Sequence, residues 1–325
     1  MITIIGGSGF IGTRLCKRLQ QGVDFTIVDK VTSKTFGDKT AVADVRDYSG
    51  LLKTCSGDVI INLAAEHRDD VSPKSLYDEV NVDGARRVCE VAEAKGINKI
   101  IFTSSVAVYG FAPLGTNESG EINYFNDYGR TKYEAELIYK AWQAKDPTNR
   151  TLVIVRPTVV FGEQNRGNVY NLLRQIASGK FMMIGDGTNR KSMAYVENIA
   201  AFLEYSLKFE NGVHIYNYID KPDFDMNTLV ANVNKALGKD EKIGFRMPFL
   251  VGYSIGKVFD LVAAITGKKF TVSSIRVKKF CSDSMFDTSV AKSGFVPPVK
   301  LEDGLASTIK YEFVDQHNGE VFYTE

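Results

Sequence analysis

The sequence predicts an α/β protein: a doubly wound parallel sheet followed by a smaller C-terminal α/β lobe. Over the first 156 residues, short apolar runs rich in β-branched residues alternate with helical patterns, as in βα units on a parallel sheet. A glycine-rich turn, Gly6–Gly12, directly follows the first of these runs. A strand, a glycine-rich turn and a helix in this order are typical of the Rossmann fold.

The elements of the first domain follow from these runs in chain order. We expect strands at Ile2–Ile5, Phe25–Asp29, Val59–Leu63, Lys99–Thr103 and Leu152–Arg156, the last ended by Pro157, and helices at Ile11–Gln21 and Asp127–Trp142. In the first helix, Ile11, Leu15 and Leu19 recur at helical spacing and form one apolar face.

The length of 325 residues corresponds to about two domains at roughly 150 residues each. We predict a dinucleotide-binding domain at residues 1–156, to which the chain returns near residues 190–220. Residues 157–325, where glycines make the pattern less regular, form mainly a substrate-binding lobe.

Composition excludes several classes. Lys and Arg total 40 against 39 Asp and Glu, so the net charge of +1 gives no global field for nucleic acid. The four cysteines are scattered, with no metal-ligand spacing. We therefore predict no metal site, no nucleic-acid partner and a cytoplasmic location. No uncharged apolar run reaches the length of about 18 residues that spans a bilayer.

Two features predict a cofactor site. Glycines in the turn let the backbone approach a pyrophosphate, which lies against the free N–H groups of the helix N-terminus. Asp29 ends the second strand, where a carboxylate accepts hydrogen bonds from the adenosine ribose and repels a 2′-phosphate. We therefore predict NAD rather than NADP.

Tyr128 and Lys132 are four residues apart and share one face of the predicted long helix. A free tyrosine is a poor base at neutral pH, and an ammonium group nearby lowers its pKa. Such a tyrosine can take a proton from a sugar hydroxyl while a hydride leaves the carbon. Ser104 and Ser105 stand at the end of a predicted strand, as candidates for a second hydroxyl in this site.

With these motifs the chain resembles the extended short-chain dehydrogenases/reductases, the group of nucleotide-sugar epimerases and dehydratases. The resemblance covers nearly the whole chain and is carried by Gly6–Gly12, Asp29, Asp44-Val45, Leu63-Ala64-Ala65, Asn81, Phe102–Gly110, Tyr128–Lys132, Arg156-Pro157, Gly185–Gly187 and Tyr195-Val196.

The resemblance implies roles for matching residues. Ser105, Tyr128 and Lys132 would be catalytic, and Lys132 would also hold the nicotinamide ribose. Phe10 and Ile11 would cover the pyrophosphate, and Asp44 and Val45 would contact adenine. The remaining implied cofactor residues are Gly6, Gly9, Gly12, Leu63, Ala64, Ala65, Asn81 and Pro157. A homodimer through helices such as Asp127–Trp142 is implied as well.

The resemblance also implies substrate-binding positions, with departures. Lys191 stands where UDP-galactose 4-epimerases carry a diphosphate-binding arginine, and Asn62 where many members have histidine. A lysine supplies charge but no bidentate fork. Arg276 lies near the second diphosphate-binding arginine of the family, and Ser284 matches a position near the sugar C2, where a serine leaves room for an N-acetyl group.

The residues after Ser105 separate two reactions. Dehydratases carry two acidic residues there as proton shuttles, and this chain has Val106 and Ala107. We therefore predict NAD-dependent 4-epimerisation through a 4-keto intermediate, with a sugar diphosphate as substrate. A soluble UDP-GlcNAc or UDP-glucose 4-epimerase, a sugar 4-ketoreductase and a nucleotide sensor without turnover are the alternatives.

The runs Glu66–Pro73, Phe102–Gly110, Arg166–Tyr170 and Thr266–Lys269 resemble a narrower subfamily of epimerases from bacterial lipopolysaccharide O-antigen pathways. That resemblance implies interconversion of GlcNAc and GalNAc on undecaprenyl diphosphate, a carrier in the membrane.

A helix drawn over Arg246–Ile265 would have a broad apolar face, followed by Lys268, Lys269, Arg276, Lys278 and Lys279. Such a segment could lie peripherally on the inner face of the cell membrane. It could equally pack into the substrate lobe, as amphipathic helices usually do.

Overall fold

A computed structural model describes residues 1–68, 71–267 and 273–323. Its strands are β1 Ile2–Ile5, β2 Phe25–Asp29, β3 Thr40–Val42, β4 Val59–Asn62, β5 Lys99–Thr103, β6 Thr151–Pro157, β7 Val159–Phe161, β8 Met183–Ile184, β9 Arg190–Tyr195, β10 Gly212–Tyr218, β11 Asp220–Asp225 and β12 Arg246–Met247. Its α-helices are α1 Phe10–Leu19, α2 Tyr48–Thr54, α3 Ser75–Tyr77, α4 Gly84–Lys95, α5 Asp127–Ala144, α6 Asn168–Ala177, α7 Val196–Tyr205, α8 Met226–Ala236, α9 Phe249–Thr266, α10 Ser274–Cys281 and α11 Leu301–Phe313.

Seven parallel strands form the main sheet in the order β10-β6-β5-β4-β1-β2-β3. The order reverses between β1 and β4, which places a crevice at the carboxyl ends of these strands. One apolar core contains α1 and α7 side chains against the sheet, and a second contains those of α2, α4 and α5. The predicted doubly wound sheet is thus confirmed.

The chain leaves this sheet after β6 and returns to it with β10, which pairs with β6 along seven residues. Between them, β7 and β9 pair in parallel, and β11 then pairs antiparallel with β9. Strands β8 and β12 form a second small sheet. Together with α6 and α8–α11, these elements make the smaller lobe.

Helix α9 differs from the segment predicted at Arg246–Ile265. It begins at Phe249, because Arg246-Met247 is strand β12 and Pro248, which has no N–H, precedes the first turn. Within α9, Gly252 and Gly256 are the buried residues. A Cβ on Gly256 would lie 2.7 Å from backbone atoms of Ser274, so Gly256 allows α9 to lie close to α10, whereas a Cβ on Gly252 would lie 2.8 Å from the Ile184 side chain.

Several large apolar side chains of α9 are exposed to solvent. Leu250 is 75% exposed, Leu261 62% and Ile265 74%. In the described part of the chain, α9 is the one helix whose length and composition would let it cross a membrane, although it contains Lys257 and Asp260. The predicted basic residues Arg276, Lys278 and Lys279 lie exposed on α10, whereas Lys268 and Lys269 are outside the described residues.

Candidate active site

A cleft of about 770 Å³ lies at the carboxyl ends of the central strands. Its walls come from the segments that follow β1, β2, β4, β5 and β6, together with Ser284 and Phe286 from the smaller lobe. This volume lies within the usual range of small-molecule sites. The cleft therefore has the position and size expected for a cofactor with a substrate beside it.

The glycine-rich turn forms the floor of the cleft. Gly6 has a φ of +77°, and a Cβ there would lie 2.6 Å from the backbone nitrogen of Ala64. Gly9 precedes α1 without a side-chain cap, and no acidic residue stands in the first turn of the helix. Because the positive end of α1 is uncapped and opens on the cleft, the turn fits a pyrophosphate group.

The carboxylate of Asp29 is held at the end of β2. It accepts hydrogen bonds from the backbone N–H of Ser8 (3.0 Å) and of Val31 (3.3 Å), and it lines the cleft. The second acidic residue, Asp44, pairs with Arg46 at 2.8 Å, and this hydrogen bond lowers the pKa of Asp44. Arg46 also lines the cleft and was not anticipated from the sequence.

Most residues that the resemblance assigned to the cofactor line this cleft: Gly6, Gly9, Phe10, Ile11, Gly12, Asp29, Asp44, Val45, Leu63, Ala64, Ala65, Tyr128, Lys132 and Pro157. Asn81 lies behind the wall instead. Its side-chain amide donates to the Glu66 carbonyl (2.9 Å) and to Thr131 Oγ1 (3.0 Å), and its oxygen accepts from the Glu66 N–H. Asn81 thus fixes the segment after β4 against α5.

Ser105, Tyr128 and Lys132 meet at the cleft. Helix α5 carries the last two, and its first turn is capped by the Asn126 side chain, which accepts from the Gly129 N–H at 2.9 Å. Ser105 caps the 3₁₀ turn at Val106–Tyr109, and its Oγ accepts from the Ala107 N–H at 3.1 Å. These caps place one hydroxyl from each segment beside the other.

The electrostatics differ from the sequence-based expectation in one respect. Burial raises the pKa of Tyr128, and the hydrogen bond from Ser105 only partly offsets this rise. Burial also lowers the pKa of Lys132 to about 7, against an opposing effect of Glu136. The Lys132 Nζ lies 4.3 Å from the centre of the Phe102 ring. The predicted lowering of the tyrosine pKa by the lysine is therefore not present in this structure.

Behind Lys132, one turn further along α5, lies a buried ion pair that sequence reasoning missed. Glu136 accepts from Arg156 Nε (2.8 Å) and Nη2 (2.5 Å) and from Ser104 Oγ (2.6 Å). Arg156 also donates to Tyr109 Oη at 2.6 Å. Both serines line the cleft, and the hydroxyl of Ser104 is taken up by this network. The four-residue spacing from Lys132 to Glu136 places both side chains on one face of α5, and this spacing could have indicated a buried charge there.

Of the predicted substrate residues, Ser284 lines the cleft, and Lys191 and Arg276 are not among the described residues that do. The ammonium group of Lys191 donates to the carbonyls of Lys279 (2.8 Å) and Ser282. Burial lowers the pKa of Lys191. Lys191 therefore ties β9 to the end of α10, beside Ser284, with which it forms an isolated β-bridge. Arg276 is exposed on α10.

Several cleft residues had no predicted role in the site. Glu66, His67 and Arg68 form one wall, and Asn165, Asn168 and Phe286 lie on the side of the smaller lobe. Glu66 and Arg68 form an ion pair at 3.1 Å. The run Glu66–Pro73 that supported the subfamily resemblance includes Asp69 and Asp70, which lie outside the described residues.

Comparison with known proteins gives three kinds of similarity. The family described as the NAD dependent epimerase/dehydratase family matches residues 2–218. The N-acetyl-α-D-glucosaminyl-diphospho-ditrans,octacis-undecaprenol 4-epimerase of Escherichia coli O157:H7 is 50% identical over 326 residues, covering 99% of this chain and 98% of that protein. The UDP-glucose 4-epimerase of Vibrio cholerae is 29% identical and covers 94% of both chains.

Solved structures share the fold. A UDP-glucose 4-epimerase from Thermotoga maritima, solved with UDP-glucose, superposes with a TM-score of 0.74 at 20% identity over 95% of this chain and 97% of that one. A UDP-glucuronic acid 4-epimerase from Bacillus cereus, solved with NAD, gives a TM-score of 0.72 at 20% identity, with the same coverage of both chains.

Proposed function

The chain belongs to the NAD-dependent epimerase/dehydratase family, and from that premise we propose that it is an NAD-dependent 4-epimerase that interconverts GlcNAc and GalNAc on undecaprenyl diphosphate. The observation that carries the proposal is the full-length identity of 50% to an enzyme of that name. The convergence of Ser105, Tyr128 and Lys132 on one cleft agrees with it.

The uncapped start of α1, the Gly6–Gly12 turn and the Asp29 carboxylate would hold NAD, which supplies the hydride acceptor for C4 when bound. Ser105 hydrogen-bonds O4 of the sugar, and Tyr128 takes the O4 proton as the C4 hydride leaves. Epimerisation requires the 4-keto sugar to turn over in the cleft before C4 is reduced on its other face, and Tyr128 would then give the proton back to O4. Lys132 would hold the nicotinamide ribose, and a protonated Lys132 would add positive charge near the phenol oxygen of Tyr128.

Two cleft residues favour epimerisation over dehydration. Val106 and Ala107 follow Ser105 and both line the cleft. Neither side chain can shuttle a proton, whereas elimination of water needs a further acid and base. The balanced cycle described above needs only the tyrosine, the serine and a cofactor that is regenerated in each turnover.

We propose that α9 holds the enzyme peripherally on the inner face of the cell membrane. Its exposed side chains Leu250, Leu261 and Ile265 would each gain about 1.5–3 kcal/mol on full transfer out of water. The exposed cations Lys278 and Lys279 on the adjoining α10 would lie near anionic headgroups. Glutamate at Leu250 and Leu261 should abolish sedimentation with vesicles of phosphatidylethanolamine and phosphatidylglycerol. Glutamate at the exposed Val296 is the matched control, and equal sedimentation of all three proteins would refute this role.

The carrier is tested by incubating the NAD-loaded protein with GlcNAc-diphospho-undecaprenol and, separately, with UDP-GlcNAc, followed by hydrolysis and separation of GlcNAc from GalNAc. GalNAc from the lipid alone supports the proposal. GalNAc from UDP-GlcNAc alone would instead support a UDP-sugar 4-epimerase, the candidate favoured by the similarity to the Vibrio cholerae enzyme. Net consumption of reduced nicotinamide would indicate a 4-ketoreductase.

The resemblance to the family also leads us to propose a homodimer through α5. The apolar side chain of Leu137 on that helix is exposed and would lie at such a contact. Light scattering of the NAD-loaded protein tests this, since replacement of Leu137 by Glu should halve the measured molar mass. An unchanged monomeric mass in both proteins would contradict it.

A further inference from the structure

Two phenylalanine rings lie exposed in the segment that follows the catalytic serine. Phe111 is 66% exposed and Phe125 57% exposed. Their ring centres are 4.6 Å apart in an edge-to-face arrangement, and we call them the aromatic pair. Exposed apolar groups that lie together mark binding surfaces more often than single ones do.

The backbone that carries the aromatic pair is fixed at several points. The N–H of Asn123 donates to the Val108 carbonyl at 3.1 Å, and Gly110, with a φ of +61°, lies too close to Asn123 to accept a Cβ. Further along, the N–H of Gly115 donates to the Met285 carbonyl at 3.0 Å. The two rings are therefore presented to solvent by a braced segment and do not belong to a loose loop end.

This segment borders the cleft. Ala107 and Gly110, which directly precedes Phe111, both line the cleft, as does Phe286 on the strand-like stretch to which the segment is bonded. The aromatic pair thus lies on a segment of the cleft wall, next to Gly110 in the chain, although neither ring is among the described residues that line the cleft.

A cation lies beside the same pair. The Nζ atom of Lys279 is 4.9 Å from the centre of the Phe125 ring. The backbone carbonyl of Lys279 accepts from Lys191, whose own strand forms a β-bridge with the cleft residue Ser284. A series of contacts therefore connects the cleft residue Ser284 with Lys279, and Lys279 with the exposed ring of Phe125.

We propose that the aromatic pair binds the first isoprene units of the lipid carrier, and that the Lys279 ammonium lies against the diphosphate. The proposal rests on the proposed function, in which a sugar, a diphosphate and a branched hydrocarbon follow one another in the substrate. The cleft, the ammonium and the aromatic pair offer matching chemistry in the same order. Branched hydrocarbon gains dispersion contacts and loses water when it packs on aromatic rings.

The test compares three substrates of the NAD-loaded enzyme: GlcNAc-diphospho-undecaprenol in detergent, and GlcNAc diphosphate esterified with geranyl or with methyl. Turnover of UDP-GlcNAc is measured beside them as a reference. In the wild type, kcat/KM should rise by about tenfold or more from the methyl to the geranyl ester, as expected for burial of a small apolar group. A double variant Phe111→Ser/Phe125→Ser should lose this gain and keep the kcat of the methyl ester. The variant Val296→Ser, at an exposed valine in another segment, should keep both values.

Three outcomes would overturn the inference. The double variant could keep the full gain from methyl to geranyl. It could lose turnover of UDP-GlcNAc alone, which would assign the pair to uracil stacking. It could change the molar mass by light scattering with the gain intact, which would assign the pair to contact between two copies. If the wild type forms no GalNAc from any of the three substrates, the proposed function itself fails.

Discussion

Burial of Lys132 predicts a stability that depends on pH in a defined window. The pKa of this lysine is lowered by burial from 10.5 to about 7 in the folded protein. Between these values the unfolded chain holds a proton that the folded protein has released, so stability rises with pH. One proton corresponds to about 1.4 kcal/mol for each pH unit. From about pH 7.5 to about pH 9, the wild type should therefore gain about 2 kcal/mol over a Lys132→Met variant.

Urea denaturation of the cofactor-free proteins measures this difference. The single tryptophan, Trp142, is buried on α5, the helix that carries Lys132, and reports unfolding by fluorescence. Groups common to both proteins cancel when the two free energies of unfolding are subtracted. A Lys53→Met variant, which removes an exposed lysine on α2, controls for the loss of a surface charge. A difference between wild type and Lys132→Met that is equal at both pH values would refute the reasoning.

Three further predictions concern single contacts. Replacement of Tyr128 by Phe should lower kcat by about 10²–10⁴-fold while NAD still binds, as measured by GalNAc formation and by fluorescence of the reduced cofactor. Glu136→Gln should lower the free energy of unfolding by about 3–5 kcal/mol, because Arg156 then stays buried without a counter-charge. Gly256→Val should cost about 1–3 kcal/mol in the same urea assay, because its Cβ would meet the backbone of Ser274.

Matched variants make these results decisive. Glu90→Gln breaks an exposed ion pair with Arg87 and should cost less than about 1 kcal/mol. Ala264→Val is the control for Gly256→Val. It adds the same two γ-methyl groups at an exposed position of α9. Equal losses for Glu136→Gln and Glu90→Gln, or for the two α9 variants, would contradict the assigned contacts. Full GalNAc formation by Tyr128→Phe would contradict the assignment of Tyr128 as the base, whereas full biological activity without GalNAc formation would support a nucleotide sensor.

The sheet was predictable where local pattern decides the structure. Strands β1, β2 and β5 have the bounds that the apolar runs predict, since each is a short run between turns. The network around Glu136 could not be predicted, because its partner Arg156 lies on strand β6, 20 residues further along the chain. The surroundings of Lys191 could not be predicted either. The family resemblance implied a cation near the substrate, but the Lys191 ammonium donates its hydrogen bonds to carbonyls at the end of α10.

For helix α9, the sequence predicted the element but not its packing. Its apolar pattern is visible in the sequence, yet the pattern alone does not say which face is buried. The buried face is the one with Gly252 and Gly256, where a Cβ would meet the Ile184 side chain and the backbone of Ser274, respectively.

The return of β10 to the main sheet has a consequence for synthesis of the chain. Every residue of β6 is buried in the finished protein, and β10 covers its outer edge. About sixty residues separate the end of β6 from the end of β10. At a translation rate of about 5–20 residues per second, the edge of β6 stays open for several seconds on the ribosome. An open apolar edge is a template for pairing with other chains. Premature termination within that interval should therefore yield fragments that aggregate or require a chaperone.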